Sequence, residues 1–323
     1  MNEIIKVENL VKRYNKAEEP SVRGVDFHVD EGEFFAFLGP NGAGKTTTIS
    51  ILTTTLSKTS GRVEIAGYDL DKDMKKIREN VGIIFQKPSL DKALSAEENI
   101  RFHACLYGMY PYRPTFKMMP AEYRKRVVEL ADIVGIGDSL FQAIGKMSGG
   151  MQRKLEIIRS LIHTPKVLFL DEPTQGLDAV SRKSLWEYIQ GIRKEFGTTV
   201  FLTTHYIDEA ENVDKVCIIN NGEMEFSGSP DRLKEKLLKR ELILNSDDRG
   251  RLVEELKNMN LNPIVDKEVR VSCKNLQAQE IIINLDSKLT TLKIHEPSLE
   301  DAYFELLEQS SKKQTRLDNV LSL

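Results

Sequence analysis

A glycine-rich loop followed by lysine and threonine is the part of the sequence best suited to bind phosphate. It follows an apolar run and precedes a stretch compatible with a helix, which is the setting that the pattern GxxxxGK[ST] requires. Backbone N–H groups can curl around phosphate oxygens in such a loop, and the helix N-terminus adds partial positive charge. Lys45 would neutralise β- and γ-phosphates, and the hydroxyl of Thr46 can ligate Mg²⁺. The loop residues are Gly39, Pro40, Asn41, Gly42, Ala43, Gly44, Lys45 and Thr46.

An acidic pair, Asp171-Glu172, ends a second apolar run and is followed by Pro173. An Asp beside a phosphate-binding loop suits Mg²⁺, and an adjacent Glu can accept a proton from attacking water. Such a pair by itself is usually only a polar turn after a strand. The loop at 39–46 makes the catalytic interpretation preferable, because Mg²⁺ needs a carboxylate.

Two further strand ends carry polar side chains, Gln86 and Thr204-His205, which are weak signals when taken singly. Short apolar runs alternate with amphipathic stretches over the first 230 residues, which predicts a parallel sheet covered by helices. Ligands collect outside the carboxyl ends of the strands in open α/β sheets. The sequence therefore directs several strand ends to one site. The four runs are 33–38, 81–85, 167–170 and 199–203.

A second helix start lies at Ser148-Gly149-Gly150, before a helix with apolar residues at 151, 155, 158 and 162. Ser148 is a good N-cap residue, and an uncluttered helix N-terminus is also an anion site. The chain thus has two phosphate-binding helix starts but one pair of Mg²⁺ ligand and base. Our hypothesis is that the second start serves a nucleotide held by another copy of the chain.

Composition limits the class of protein. The chain has 323 residues, 46 basic and 49 acidic, and a net charge of −3, so no basic half exists to cover nucleic acid. The longest charge-free runs have about 12 residues, against roughly 20 needed to span a bilayer. The N-terminus lacks a signal-peptide pattern. Three scattered cysteines, Cys105, Cys217 and Cys273, fit buried thiols in a reducing compartment, and we expect a cytosolic protein.

The motifs together resemble those of the ATP-binding cassette (ABC) ATPases over roughly the first 230 residues. They occur in family order, and their combination is far more specific than any one of them. The set comprises the aromatic Tyr14, the Walker A loop 39–46, the Q-loop Gln86, the signature Ser148-Gly149-Gly150, the Walker B residues Asp171 and Glu172, the D-loop Gly176-Leu177-Asp178 and the switch His205.

The resemblance implies the following roles. Tyr14 would stack on adenine, while Lys45 and the loop amides through Thr47 would hold the phosphates of ATP. Thr46, Gln86 and Asp171 would organise Mg²⁺. Glu172 would polarise the attacking water, and His205 would contact the γ-phosphate. The signature would complete the site of a second subunit paired head to tail, and Asp178 would take part in communication across the dimer.

Two residues of the signature depart from the family pattern. Met147 replaces the usual Leu, which preserves apolar packing. Met151 replaces a frequent Gln and loses one polar contact, yet we expect an active site because the other catalytic residues are present.

A helical subdomain is expected at about 87–165. It contains a capping box at Ser95–Glu98 and an aromatic segment at 107–112. Docking of a membrane partner on these aromatics and an ordinary loop with buried rings are equally acceptable interpretations.

Residues 1–230 are thus expected to form the ATP-binding domain, residues 231–310 a small α+β accessory domain and residues 311–323 a tail. The pattern from Glu241 predicts β-α-β-α-β with room for an extra strand near Pro263, which suggests a ferredoxin-like fold. A helix follows, with Ser298 as N-cap and Asp301 at N3. The segment Pro297-Ser-Leu-Glu-Asp301 resembles the C-terminal region of ATPases of drug and antibiotic exporters. A generic accessory or dimerisation domain is the alternative.

The fold class expected is an α/β P-loop NTPase cassette with a mixed, mainly parallel sheet, followed by this smaller domain. The function expected is an ATPase that pairs with a second cassette and drives a separate permease that exports drugs, antibiotics or lipophilic compounds. A homodimer is the preferred form of the pair, and two related cassette subunits are the alternative. It would lie on the cytoplasmic face of the membrane. The alternative is an ABC ATPase acting on ribosomes or nucleic acid, while a P-loop kinase or GTPase does not need the signature.

Overall fold

The computed structural model describes residues 2–15, 17–86, 89–237, 240–273, 277–295 and 298–321. The chain divides into two compact units, Met1–Ser227 and Gly228–Leu323. None of the described helices is long and apolar enough to cross a membrane.

The first unit contains two sheets and a set of helices. Its strands are β1 (Glu3–Lys12), β2 (Val22–Asp30), β3 (Phe34–Leu38), β4 (Ser60–Ile65), β5 (Tyr68–Asp69), β6 (Val81–Ile84), β7 (Val167–Asp171), β8 (Thr199–Thr204), β9 (Lys215–Asn220) and β10 (Glu223–Gly228). Its helices are α1 (Lys45–Leu52), α2 (Met74–Asn80), α3 (Ala96–Leu106), α4 (Ala121–Ile133), α5 (Gly149–Leu161) and α6 (Ala179–Phe196).

The larger sheet has the order β10-β9-β3-β8-β7-β6. Strands β9, β3, β8, β7 and β6 run parallel, so their carboxyl ends lie at one edge. Every residue of β3, β7 and β8 is buried, as expected for strands covered on both faces. The four predicted strands and the mixed, mainly parallel sheet are confirmed.

The smaller sheet has the order β2-β1-β4-β5, and its strands pair antiparallel. An aromatic cluster joins the two sheets. The ring of Phe27 on β2 lies 5.6 Å from that of Phe35 on β3 and 6.0 Å from that of Phe201 on β8. These rings belong to the hydrophobic core that holds β3, the strand that precedes the phosphate loop.

Helices α3, α4 and α5 occupy the region expected to be a helical subdomain. Ser95 and Glu98 form the predicted capping box at the start of α3. Inside the same helix a buried ion pair joins Arg101 to Glu97, and the Tyr123 hydroxyl donates to Glu97. Arg101 Nη1 also donates to the carbonyl of Arg113 at 2.6 Å, which ties down the end of the aromatic segment.

The aromatic side chains of 107–112 are divided between core and surface. Tyr110 packs edge-on against the buried Tyr123, whereas Tyr112 is 52% exposed and lies on Phe102. Neither of the two interpretations of this segment is singled out by these contacts.

The second unit has strands β11 (Arg240–Ser246), β12 (Ile264–Val265), β13 (Val269–Cys273) and β14 (Leu289–His295). Its helices are α7 (Pro230–Leu237), α8 (Arg249–Asn258), α9 (Gln277–Ile283) and α10 (Leu299–Leu321). The sheet order β12-β13-β11-β14, antiparallel throughout, is that of a ferredoxin-like fold, with β12 as the extra strand near Pro263.

Two details differ from the expectation. The run Val265–Ser272 is a hairpin rather than one strand, because the chain turns at Asp266, whose N–H donates to Glu268 O. Helix α10 continues to Leu321, so most of the segment 311–323 lies in the same helix. Ser298 and Asp301 cap this helix as predicted, while Pro297 and the predicted helical positions 238, 239 and 276 lie outside the described residues.

Candidate active site

The phosphate loop connects β3 to α1, and its shape depends on two glycines. A Cβ on Gly39 would lie 2.3 Å from the carbonyl oxygen of Ile219. Gly44 has φ +108°, and a Cβ there would lie 2.7 Å from Ser21 O. The hairpin turn between β9 and β10 supports the loop from outside, because Gly222 N–H donates to Ala43 O at 3.0 Å. The loop backbone is therefore held by neighbouring strands.

Lys45 begins α1 and is 5% exposed. Its ammonium donates to Gly39 O at 2.7 Å and to Pro40 O at 3.1 Å, and lies 4.0 Å from Glu172 Oε1. Burial lowers the pKa of this amine, while Glu172 and Asp171 oppose that effect. The cation thus stands between the loop carbonyls and the acidic pair, where phosphate oxygens of a nucleotide could replace the carbonyls as its partners.

Asp171 is the last residue of β7 and is 7% exposed. The hydroxyl of Thr203 on the neighbouring strand β8 donates to Asp171 Oδ1 at 2.6 Å. Burial raises the pKa of Asp171, and the Thr203 hydrogen bond acts in the opposite direction. A buried carboxylate with a second oxygen free of this bond is suited to a nearby cation.

Glu172 follows in a left-handed backbone conformation with φ +44°. This turn directs its carboxylate toward the ends of three other elements. Gln86 Nε2 donates to Glu172 Oε2 at 3.2 Å, and His205 Nδ1 lies 3.2 Å from Glu172 Oε1. Together with Lys45, these side chains surround one carboxylate. The strand ends singled out from the sequence thus meet at a single site.

Tyr14 and Thr47 flank the other side of the loop. Tyr14 is 43% exposed, and its hydroxyl is 3.2 Å from Thr47 Oγ1. Lys12 Nζ lies over the Tyr14 ring at 5.4 Å from its centroid. The ring is therefore positioned at the loop and accessible for stacking.

The available ligands for a metal ion are oxygens: the exposed hydroxyl of Thr46, the carboxylate of Asp171 and the amide oxygen of Gln86. In the described part of the chain no group of three or more His, Cys, Asp and Glu residues could hold a metal ion by itself. This donor set fits Mg²⁺, which binds through one or two carboxylates plus substrate phosphates.

The second predicted helix start, Ser148-Gly149-Gly150, has different neighbours from the residues around Glu172. Ser148 caps α5 by accepting from Met151 N at 3.2 Å, and Ser148 and Gly149 are exposed. Its neighbour is the start of α6, where Asp178 accepts from the backbone and hydroxyl of Ser181. A Cβ on Gly150 would lie 3.2 Å from that hydroxyl. The structure thus brings the signature next to Asp178 rather than to the loop 39–46.

The buried Met147, which replaces the family's Leu, is 5% exposed.

Sequence reasoning missed three residues that support the site. Thr203 orients Asp171, Gln175 accepts from Gln86 Nε2 at 2.5 Å, and Arg153 on α5 donates to two backbone carbonyls near the site. Thr203 and Gln175 leave no local signal. Arg153 leaves none either, because Lys154 and Arg159 in the same helix are also cations and the burial of Arg153 is visible only in the structure.

Comparison with known proteins identifies relatives over most of the chain. Residues 22–175 match the family described as ABC transporter. The linearmycin resistance ATP-binding protein LnrL of Bacillus subtilis (strain 168) is 31% identical over 94% of this chain and 98% of its own length. The daunorubicin/doxorubicin resistance ATP-binding protein DrrA of Streptomyces peucetius is 38% identical over 72% of this chain and 67% of its own.

Solved structures give the same result for the fold. An ATP-binding subunit of an ABC transporter superposes with a TM-score of 0.63 at 29% identity, covering 72% of this chain and 92% of that one. A dimeric ATP-binding cassette in a post-hydrolysis state, bound to ADP and Pi, has a TM-score of 0.61 at 27% identity, covering 70% and 98%.

Proposed function

The chain belongs to the ABC transporter family as an ATP-binding subunit of the drug-exporter class, and we propose that it powers export of antibiotic-like or lipophilic compounds through a permease on a separate chain. ATP hydrolysis is the activity of the family. The relatives named above do not favour the alternative of an ATPase that acts on ribosomes or nucleic acid.

The observation that carries the proposal is the meeting of Gln86, Lys45 and His205 around Glu172. Glu172 would accept a proton from the attacking water, since its carboxylate is the acceptor at the centre of the group. His205 and Lys45 would stabilise charge that develops on the transferred phosphoryl group. Tyr14 would stack on the adenine, and the loop amides would hold the phosphates.

Mg²⁺ would be held by Thr46, Asp171 and Gln86, and it would neutralise charge on the β- and γ-phosphate oxygens. Thr203 fixes one oxygen of Asp171, so the carboxylate would keep its orientation when a cation binds. Addition of EDTA should therefore abolish hydrolysis, and excess Mg²⁺ should restore it.

We propose that the active form contains two copies of the chain. Ser148, Gly149 and Gly150 would contact the γ-phosphate of ATP held by the partner subunit. Ser148 and Gly149 are exposed, and Gly150 lies close to Ser181 of α6. The hydroxyl of Ser181 donates to Asp178 and lies beside Gly150. A displacement of the signature on nucleotide binding would therefore be felt at Asp178 through Ser181. The permease would bind the paired cassettes at the cytoplasmic face of the membrane.

The experiment is recovery of a tagged Glu172→Gln chain from its native host, with Lys45→Ala as the matched variant. Loss of the base should leave ATP bound and the pair closed, so partners should persist through purification and be identified by mass spectrometry. Recovery with a polytopic membrane protein is expected. Recovery mainly with ribosomes or DNA would contradict the proposal. Lys45→Ala should fail to form the ATP-dependent pair.

A further inference from the structure

Helix α5 carries a row of charged residues, Arg153, Glu156 and Arg159, on a side that is largely buried. Arg153 is 4% exposed and Glu156 1% exposed. Arg153 Nη1 donates to Glu156 Oε2 at 2.8 Å, and Arg159 Nη2 lies 3.8 Å from Glu156 Oε1. A buried ion pair adds little net stability over apolar residues of equal volume, so its presence calls for another reason.

The guanidinium of Arg153 reaches two backbone carbonyls on separate elements. Its Nε donates to Pro173 O at 2.9 Å, and its Nη1 donates to Phe85 O at 2.6 Å. Pro173 directly follows Glu172, and Phe85 directly precedes Gln86. A single side chain therefore ties together the backbone next to the two residues whose side chains meet at 3.2 Å.

Glu156 and Arg159 hold the far side of the Gln86 segment. Ser89 N–H donates to Glu156 Oε1 at 2.9 Å, and Arg159 Nη1 donates to Ser89 O at 2.8 Å. Gln86, which lies between Phe85 and Ser89, is exposed. Side chains of α5 thus hydrogen-bond the backbone on both sides of Gln86, at Phe85 and at Ser89.

The catalytic geometry needs such support. Glu172 has φ +44°, a conformation that persists only where the surroundings over-determine it. The Gln86 side chain is exposed and cannot be fixed by core packing. Removal of the Arg153 contacts would free both backbones at once, and displacement of a reacting group by about 1 Å costs on the order of 100-fold in rate.

We propose that Arg153 is a positioning residue through which the signature helix sets the geometry of Glu172 and Gln86. Arg153 lies in the turn of α5 that follows Ser148-Gly149-Gly150, about 6 Å along the axis from Gly149. The inference rests on the proposed function, in that the signature contacts a partner's nucleotide. A displacement of α5 caused by that contact is passed by Arg153 to the base of its own chain.

The test uses the full chain with Arg153→Met combined with Glu156→Gln, so that Glu156 is not left as a buried carboxylate without Arg153. Arg159, whose side chain is 15% exposed, keeps its hydrogen bond to Ser89 O. The expected result is a fall in kcat for ATP hydrolysis of about 10- to 100-fold, with KM for ATP within about 3-fold of wild type. Arg153→Lys keeps the charge but lacks the fork, and it should recover part of the loss.

The matched control is Arg101→Met with Glu97→Gln, which removes another buried pair of the same unit. Its carbonyl contact is to Arg113, so it should reduce stability and leave kcat close to wild type. A second readout is amide hydrogen exchange at Glu172 and Ser89, which should be accelerated in the Arg153 variant and not in the control.

A double-mutant cycle that combines the Arg153 variant with Gln86→Ala is the decisive test. If Arg153 acts through the Gln86–Glu172 contact, the two changes together should cost little more than the larger one alone. Unchanged kcat and unchanged exchange in the Arg153 variant, or full additivity with Gln86→Ala, would overturn the inference. A wild-type chain that hydrolyses no ATP would contradict the proposed function instead, and the exchange measurement would still decide the role of Arg153.

Discussion

The starts of α1 and α5 are both helix N-termini reached through glycine, but the chain needs glycine there for different reasons. At α1 a side chain on Gly39 or Gly44 would collide with the backbone of Ile219 or Ser21. At α5 no described atom lies within 4 Å of a Cβ placed on Gly149. Glycine at the first start is required by the protein's own packing, whereas at the second the protein leaves the space open.

This difference separates a helix start that is surrounded by groups of its own chain from one that is open. The first start has a buried cation and the acidic pair beside it. The second has a serine cap, and its contacts within the chain run to Ser181. We interpret the open space at Gly149 as room for a nucleotide of the partner subunit. Substitutions at each of the two helix starts test this difference.

The largest effect is expected for Lys45→Ala at the first start. Loss of an ammonium that would make charged hydrogen bonds to phosphate should weaken ATP binding by about 100-fold. Binding can be measured by titration with a fluorescent ATP analogue. Lys146→Ala is the matched change near the second start, and it should leave binding by the single chain unaltered. Equal losses in both variants would erase the distinction between the two starts.

A smaller effect is expected for Gly149→Asp at the second start. The side chain has room, so the fold should persist, but its charge should repel a partner's phosphate at the helix N-terminus. Hydrolysis should fall about 10-fold while ATP binding by the single chain is retained, and Gly149→Ala should be milder. Phosphate release together with sedimentation in ATP would measure both. Loss of binding in the single chain would contradict the interpretation.

The smallest effect is expected for Ser148→Ala. Removal of the cap at Met151 N should cost about 1 kcal/mol, equivalent to a fall in Tm of about 2 to 4 °C for the unit that contains α5. Scanning calorimetry of the full chain would show this shift. A larger fall would mean that Ser148 makes structural contacts beyond its cap, and a normal Tm with reduced hydrolysis would place its importance at the partner's nucleotide.

The sequence was most informative where a motif combined with an apolar run. The strands before Gly39, Gln86, Asp171 and His205 were predicted because full burial produces continuous apolar residues, and parallel strands bring their ends together. The capping box at Ser95–Glu98 was predictable because its chemistry is local.

Long-range and orientational features were not accessible in the same way. Thr203 and Asp171 are 32 residues apart and meet only through the pairing of β7 with β8. The alternating pattern of Val265–Ser272 concealed a turn at Asp266, because a tight hairpin can continue the period of a strand. Arg153 is one of several cations in its helix, and only the fold brings the carbonyls of Phe85 and Pro173 within its reach.

The left-handed backbone at Glu172 places activity and robustness in opposition. Glycine adopts this conformation without strain, so a Glu172→Gly chain would lose the proposed base and gain relief of backbone strain. The relief of strain would be opposed by the loss of a carboxylate beside the buried Lys45. Directed evolution toward stability should therefore be coupled to an ATPase screen, so that relief of strain at Glu172 is not selected at the expense of turnover.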